Sequence, residues 1–165
     1  MSKLYIIGNG FDIAHGIPSS FGNFRSFVEE NDTELNRLLE DYFDVEELWS
    51  DFEVTLAHID IDTILDDADN YLESYGAEDW SDAFHHSYQN TIDEAVSLVA
   101  IRLKTHFVNW ILSLEVPIEP IYPIDNNSKF LNFNYTTTLQ DAYNVNPNRL
   151  LHIHGKIENT ESELI

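Results

Sequence analysis

The acidic residues of this chain are concentrated in its middle, and this division constrains the fold more than any other feature. Residues 26–100 hold 22 of the 30 Asp and Glu residues and a single base, Arg37. The stretches on either side, residues 1–25 and 101–165, are almost balanced in charge. A chain of 165 residues has the usual size of one domain. We therefore expect a single domain over residues 1–165 that contains an acidic segment of different character.

The acidic middle has the pattern of amphipathic helices. Apolar residues recur every three or four positions with acids between them, which predicts buried stripes on helices whose acidic faces meet solvent. Gly76 and the prolines from Pro117 onward mark predicted helix ends. The predicted helices cover 21–29, 33–43 with Asp32 or Thr33 as N-cap, 45–59, 60 or 62 to 75, and 79–114. Residues 26–116 are therefore predicted to form a large acidic α-helical insertion.

Short apolar runs at the two ends of the chain predict the strands of a sheet. These runs are Leu4–Ile7, Phe130–Phe133 and Leu150–Ile153. They lack alternation, as expected for parallel strands covered on both faces, so the predicted fold class is α/β with a Rossmann-like parallel sheet. In open parallel sheets, ligands bind beyond the carboxyl ends of the strands. The segments that follow the strands should therefore converge on one crevice: Gly8–Gly10, Asn134–Thr136 and His154–Gly155.

Two glycines separate the first predicted strand from a predicted helix. Glycine in such a turn lets backbone N–H groups approach a phosphate, and Gly8 and Gly10 are placed for that role. The dinucleotide-binding pattern G-x-G-x-x-G is incomplete, because its third glycine is Ile13 here. Two explanations stay open at this point. Either a ligand needs the space, or the turn has a backbone with positive φ that favours glycine.

Further motifs extend the pattern beyond the glycine turn. They are Gly16-Ile17-Pro18, Phe24-Arg25, Asn134-Tyr135-Thr136 and His154-Gly155, in that order along the chain. With the Gly8 turn, this series resembles motifs of the sirtuins. Taken whole, the stretches IIGNGFDIAHGIPSSFGNF, FLNFNYTTTL and HIHG look more closely like the bacteriophage abortive infection AbiH family. That family is related to the sirtuin-like, DHS-like NAD/FAD-binding fold.

The resemblance implies a phage-defence protein whose crevice takes NAD, as ligand or as substrate, and cleaves the bond between nicotinamide and ribose. It implies His154 as the base and Asn134 as the residue that positions ribose or water. Asp12 is the candidate for steadying a cationic ribose carbon. The implied cofactor contacts are Gly8, Asn9, Gly10, Phe11, Gly16, Arg25, Asn134, Tyr135 and Thr136. Histidine suits the base, because it gains and loses a proton near neutral pH.

Several features depart from the sirtuin pattern. The acid of the sirtuin-like Asn-Tyr-Asp element is Thr136 here, and the chain has no cysteine for the sirtuin zinc module, so protein deacetylation is not expected. Ten residues follow Gly155, so the resemblance implies strands that this chain lacks and an incomplete nucleotide site. We expect no metal. His152 and His154 share a strand face, but no third ligand can be identified, and the acidic runs lack the EF-hand pattern.

Charge and composition limit the partners and the compartment. A net charge of -22 disfavours direct binding of nucleic acid. The absence of cysteine and of a long apolar run predicts a cytoplasmic protein without a membrane segment. The expected partner is a small-molecule nucleotide. An exposed sheet edge would favour a homo-oligomer, and the acidic helices would suit a basic protein. The alternative to an enzyme is a non-catalytic module that binds NAD or ADP-ribose, or that contacts proteins through those helices.

Overall fold

The computed structural model describes residues 3–43, 62–63, 93, 97, 101–117 and 119–159. Its elements are β1 (Leu4–Ile7), α1 (Asn9–Ala14), α2 (Phe21–Asn31), α3 (Thr33–Tyr42), α4 (Leu103–Ser113), β2 (Lys129–Asn132), α5 (Thr138–Asp141) and β3 (Leu150–His152). The chain divides into two units. We call Met1–Phe24 with Thr105–Ile165 the sheet unit, and Arg25–Lys104 the acidic unit.

The three strands form one parallel sheet in the order β1-β2-β3. This confirms the prediction of a mixed α/β fold with a parallel sheet. β1 has its predicted bounds, β2 begins and ends one residue earlier than predicted, and β3 ends one residue earlier. A parallel crossover needs a dozen or more residues, and the stretch from 133 to 149 supplies them between β2 and β3, with α5 inside it.

One face of the sheet carries the core of the sheet unit. Side chains alternate along each strand, so Tyr5, Phe130 and Leu150 lie on the same face in register. The rings of Tyr5 and Phe130 stack at 5.2 Å between centroids. The buried cluster on this face consists of Ile7, Phe130, Leu139, Ala142, Tyr143 and Val145. Full burial of one large apolar side chain contributes about 1.5–3 kcal/mol, so this cluster is what holds α5 and the segment after it on the sheet.

The opposite face of the sheet is open to solvent. Leu4, Ile6 and Leu151 are 61%, 68% and 59% exposed, and Ile6 lies in register with Leu131 and Leu151. The prediction that the strands are covered on both faces is therefore wrong for this face. A run of four apolar residues has the same composition whether the second face is covered or open, so the sequence could not distinguish the two cases.

In the acidic unit, α3 has the N-cap and the buried apolar stripe that its sequence predicts. Asp32, one of the two predicted candidates, is its N-cap, and the Asp32 carboxylate accepts from the backbone N–H of Leu35 at 3.0 Å. The apolar stripe of α3 is buried at Leu35, Leu38, Leu39 and Tyr42. The Arg102 guanidinium donates to Asp32 and to Glu34, and it ties the chain just before α4 to the start of α3.

Much of the predicted helical insertion lies outside the described residues. The predicted helix over 45–59 and most of those over 60–75 and 79–114 belong to that part of the chain. Residues 62–63, 93 and 97 are helical, and α4 ends at Ser113, one residue before its predicted end. Within the described ranges, none of the helices has the length and apolar character that crossing a membrane requires.

Candidate functional site

The carboxyl ends of the three strands lie side by side. Ile7, Asn132 and His152 occupy equivalent positions in the register. The ladder continues one step further, because Phe133 N–H donates to Ile7 O and Ile153 N–H donates to Asn132 O, both at 2.9 Å. The segments after the strands therefore start from one edge of the sheet. We call it the carboxyl edge.

The glycine turn opens this edge. Gly8 has extended backbone, with φ -126° and ψ -177°, and α1 begins at the next residue. Among the described glycines, positive φ occurs at Gly16 and Gly155, at 78° and 80°, and not at Gly8 or Gly10. A Cβ built at either Gly8 or Gly10 would meet no heavy atom within 4 Å. Neither backbone conformation nor a protein neighbour requires glycine at these two positions. A side chain at either position would point into open space.

Asn134 joins the second strand end to the first. Its side-chain Nδ2 donates to Gly8 O at 3.1 Å, and its backbone N–H donates to Asn132 Oδ1 at 3.2 Å. Its carbonyl oxygen lies 3.1 Å from His152 Nδ1. Within the part of the chain that the structure describes, no hydrogen bond uses Asn134 Oδ1. This buried residue is thus fixed on three sides, and one acceptor atom is left over.

Asp12 is buried beneath the same edge, with 1% of its surface exposed. Thr136 Oγ1 donates to Asp12 Oδ2 at 2.5 Å, and Thr138 Oγ1 donates to Asp12 Oδ1 at 2.8 Å. Burial raises the pKa of Asp12 above its ordinary value of 3.8, and hydrogen bonds from Thr136, Thr138 and Asn134 oppose that rise. Both carboxyl oxygens are occupied. Asp12 therefore holds the loop after β2 against α1. Its catalytic role stays a prediction.

His15 and Phe11, on the C-terminal side of the glycine turn, belong to an aromatic cluster. Tyr143 Oη accepts from the backbone N–H groups of Ile121 and Tyr122, both at 3.1 Å, so its own proton goes to His15 Nε2 at 2.7 Å. His15 Nδ1 then donates to Phe11 O, also at 2.7 Å. The Phe11 ring packs 4.4 Å from that of His15 and 5.5 Å from that of Tyr143. The predicted cofactor contact of Phe11 is therefore a ring already packed within the protein.

The two histidines of the HIHG motif differ in their surroundings. His152 is half-buried and contacts Asn134 and Gln140 through its ring nitrogens. The His154 ring lies 5.7 Å from the Phe133 ring and 5.9 Å from the Tyr135 ring, measured between centroids. In the described residues, neither ring nitrogen of His154 takes part in a hydrogen bond. Of the two, His154 is the one with nitrogens available to a ligand.

The remaining predicted residues are spread more widely. Asn9 is exposed on the turn, and its Oδ1 accepts from Ser19 Oγ at 2.6 Å. Gly16 forms the turn that ends α1. Arg25 lies in the acidic unit, where its Nε donates to Glu29 at 2.7 Å. Across the described ranges, no three His, Cys, Asp or Glu side chains come close enough to hold a metal ion.

Sequence reasoning missed three polar residues of this region, Asn132, Thr138 and Gln140, and it considered His152 only as a metal ligand. Asn132 and Thr138 each lie two positions from a predicted site residue, Asn134 and Thr136 respectively. A polar residue that interrupts an apolar strand such as Phe130–Asn132 was the available signal. Gln140 carried none, since its role depends on a histidine twelve residues later.

The fold and this edge define an α/β protein of the open parallel-sheet class, with polar groups gathered where that class holds its ligands. The model of the family described as bacteriophage abortive infection AbiH matches residues 4–165. The chain therefore belongs to the AbiH family, as its motifs predicted. No curated protein and no solved structure gives a significant match. Membership indicates a role in abortive infection, a defence against phage.

Proposed function

We propose that the carboxyl edge of this abortive-infection protein binds NAD and that the protein hydrolyses its nicotinamide–ribose bond. The observation that carries the proposal is the glycine turn. Gly8 and Gly10 need glycine for neither φ nor packing, a Cβ at either would point into open space, and Gly8 O accepts from Asn134 Nδ2. A ligand phosphate that approaches the backbone would explain the two glycines, because a side chain at either position would block that approach. We also propose that this site is a sirtuin-like nucleotide site.

The side chains that would serve the reaction are Asn134 and His154. Asn134 Oδ1 accepts from a ribose hydroxyl or from the attacking water, and His154 takes the proton of that water. In the balanced step, the C1′–N bond breaks and its electron pair stays on nicotinamide. The water oxygen bonds to C1′, and its proton goes to His154. The products are ADP-ribose and nicotinamide.

The occupied carboxyl oxygens of Asp12 favour a second candidate. A hydrolase that stabilises a cationic ribose carbon gains from a free carboxylate beside it. Here both oxygens of Asp12 accept from threonine hydroxyls, and Thr136 stands where sirtuin-like proteins have an acid. The alternative is therefore a module that binds NAD or ADP-ribose as a signal without cleaving it. A basic protein partner for the acidic unit and self-association stay predictions in both cases.

The test is incubation with NAD, with free nicotinamide measured by chromatography and binding measured by thermal shift. For the enzyme, wild type releases nicotinamide and His154→Ala abolishes release. For the binding module, no nicotinamide appears, but NAD raises the melting temperature of wild type and of His154→Ala.

The matched control uses two glycines. Gly10→Val should remove the NAD-dependent shift because its side chain occupies the open space beside the glycine turn, where the phosphate is proposed to approach. Gly22→Val, on α2, should keep it, since a Cβ there meets only Ser20 Oγ at an ordinary 3.7 Å. If wild type shows neither turnover nor a shift with NAD or ADP-ribose, the nucleotide proposal is wrong.

A further inference from the structure

His152, the last residue of β3, has a contact at each ring nitrogen. Nδ1 lies 3.1 Å from Asn134 O, and Nε2 lies 3.0 Å from Gln140 Nε2. A carbonyl oxygen can only accept, so Nδ1 must carry the proton, and the bare Nε2 accepts from the amide of Gln140. The third contact, from Nδ1 to Asn132 Nδ2, is longer, at 3.4 Å. In the neutral tautomer protonated on Nδ1, both of the shorter contacts are hydrogen bonds.

The surroundings of His152 favour the neutral ring. Burial lowers the pKa of His152 below its ordinary value of 6.5, and the hydrogen bond with Asn134 O opposes this effect. Among nearby charges, Lys156 acts with burial, and Glu158 and Asp12 act against it. A protonated Nε2 would also face the N–H groups of the Gln140 amide. Asn134 therefore receives its hydrogen bond from an uncharged donor.

This donor is one of the contacts that fix Asn134. The backbone N–H of Asn134 donates to Asn132 Oδ1, and its side-chain Nδ2 donates to Gly8 O. Its carbonyl oxygen accepts from His152 Nδ1–H. Loss of the third contact would free the carbonyl and let the peptide group rotate. The backbone of Asn134 would then be held only through its N–H, and its side chain only through the Nδ2 contact with Gly8 O. His152 thus supports the residue that carries the acceptor atom.

We propose that His152 is a positioning residue: with its proton on Nδ1 it holds the carbonyl of Asn134, so that Asn134 Oδ1 faces the ligand, and Gln140 selects this tautomer. The identity of that ligand rests on the proposed function. The tautomer and the hydrogen bond are properties of the protein alone, so they can be measured whether or not NAD binds.

The first measurement is the nitrogen NMR spectrum of His152 in the ligand-free, uniformly 15N-labelled protein. At pH 7.5 we expect a protonated Nδ1 and a bare Nε2. In Gln140→Leu, which removes the donor to Nε2, a mixture of the two tautomers should appear. Protonation on Nε2 in the wild type would overturn the proposal, and so would an unchanged spectrum in Gln140→Leu.

The second measurement is the Kd for NAD by calorimetry in two matched variants. Asparagine places an amide nitrogen near the position of Nδ1, and glutamine places one near that of Nε2. His152→Asn should stay within about twofold of wild type. His152→Gln should bind roughly fivefold to tenfold more weakly, the loss expected for one hydrogen bond. Equal weakening in two folded variants would contradict the proposal, because it would assign the effect to ring packing.

The outcomes separate the two proposals. If wild type does not bind NAD, the proposed function fails, and the NMR measurement still decides the role of His152. If NAD binds and Nε2 carries the proton, the positioning role fails and the proposed function stands. Melting temperatures of both His152 variants check that each is folded at the temperature of calorimetry.

Discussion

The sheet unit and the acidic unit use their polar side chains in different ways. In the sheet unit, buried or half-buried groups join segments far apart in sequence, as in Asp12 with Thr138 and His15 with Tyr143. In the acidic unit, two of the described ion pairs join neighbours on one helix turn, Arg25 with Glu29 and Arg37 with Asp41. Longer-range pairs also occur there, Arg102 with Asp32 and Glu34 and Arg25 with Glu40.

The difference shows which contacts determine the fold and which only cover a surface. A buried hydrogen bond between distant segments cannot be replaced by water when one partner is removed. An exposed ion pair between residues four apart can be replaced, and salt screens it. We therefore expect a large loss of stability when a buried hydrogen-bonding group of the sheet unit is replaced. The loss should be small when an exposed charge of the acidic unit is removed.

Asp12→Ala should have the largest effect on stability. It leaves the hydroxyls of Thr136 and Thr138 without their acceptor in a buried position, and we expect a loss of about 2–4 kcal/mol in the free energy of unfolding. The measurement is urea unfolding at pH 7. Asp12→Asn is the control, because its amide oxygen still accepts and threonine hydroxyls can rotate to accept from its amide. It should cost less than about 1 kcal/mol, and equal losses would contradict the assignment.

Asp32→Ala tests a longer-range contact of the acidic unit. It removes the N-cap of α3 and the partner of Arg102, for an expected loss of about 1–2 kcal/mol. Asp32→Ser keeps a capping oxygen and loses only the ion pair, so it should recover most of that loss. The check is again urea unfolding, followed by the helical signal in circular dichroism. No difference between the two variants would show that the ion pair, not the cap, carries the contribution.

The pH dependence of stability provides a third, smaller effect. Because burial lowers the pKa of His152 below 6.5, the neutral ring favours the folded state. Its contribution is present above pH 6.5 and is lost as the pH falls through the lowered pKa. Thermal unfolding between pH 7.5 and pH 5 should show this decrease. His152→Asn has no titrating ring, so the decrease should be shallower in that variant.

The smallest effect is expected from Arg37→Gln. Arg37 and Asp41 form an exposed pair on α3, with side chains 65% and 44% accessible. Such pairs contribute less than about 0.5 kcal/mol. When the salt concentration is raised, the difference in the free energy of unfolding between this variant and wild type should be near zero. A loss as large as that of Asp12→Ala would remove the contrast between the two units.

The sequence predicted the parts of the molecule that depend on local signals. The strand bounds followed from short apolar runs, and the cap at Asp32 followed from a polar residue before an amphipathic stripe. The meeting of three strand ends followed from a general rule of parallel sheets. None of these required knowledge of which distant residues touch.

What the sequence could not show depends on contacts across the chain. The charge of Asp12 predicts a catalytic role, but Thr136 and Thr138, more than a hundred residues later, occupy its oxygens. The resemblance implies Phe11 as a cofactor contact, whereas its ring belongs to the cluster with Tyr143. A motif gives the order of its residues and not the direction of each side chain.

The open face of the sheet affects how unfolding of this protein can be followed. Dyes such as ANS become fluorescent on apolar surface and are commonly used to detect partly unfolded states. With Leu4, Ile6 and Leu151 displayed by the native chain, such a dye should bind before any denaturant is added. A rise in its fluorescence on heating would then combine two sources, and tryptophan emission or circular dichroism is the sounder readout.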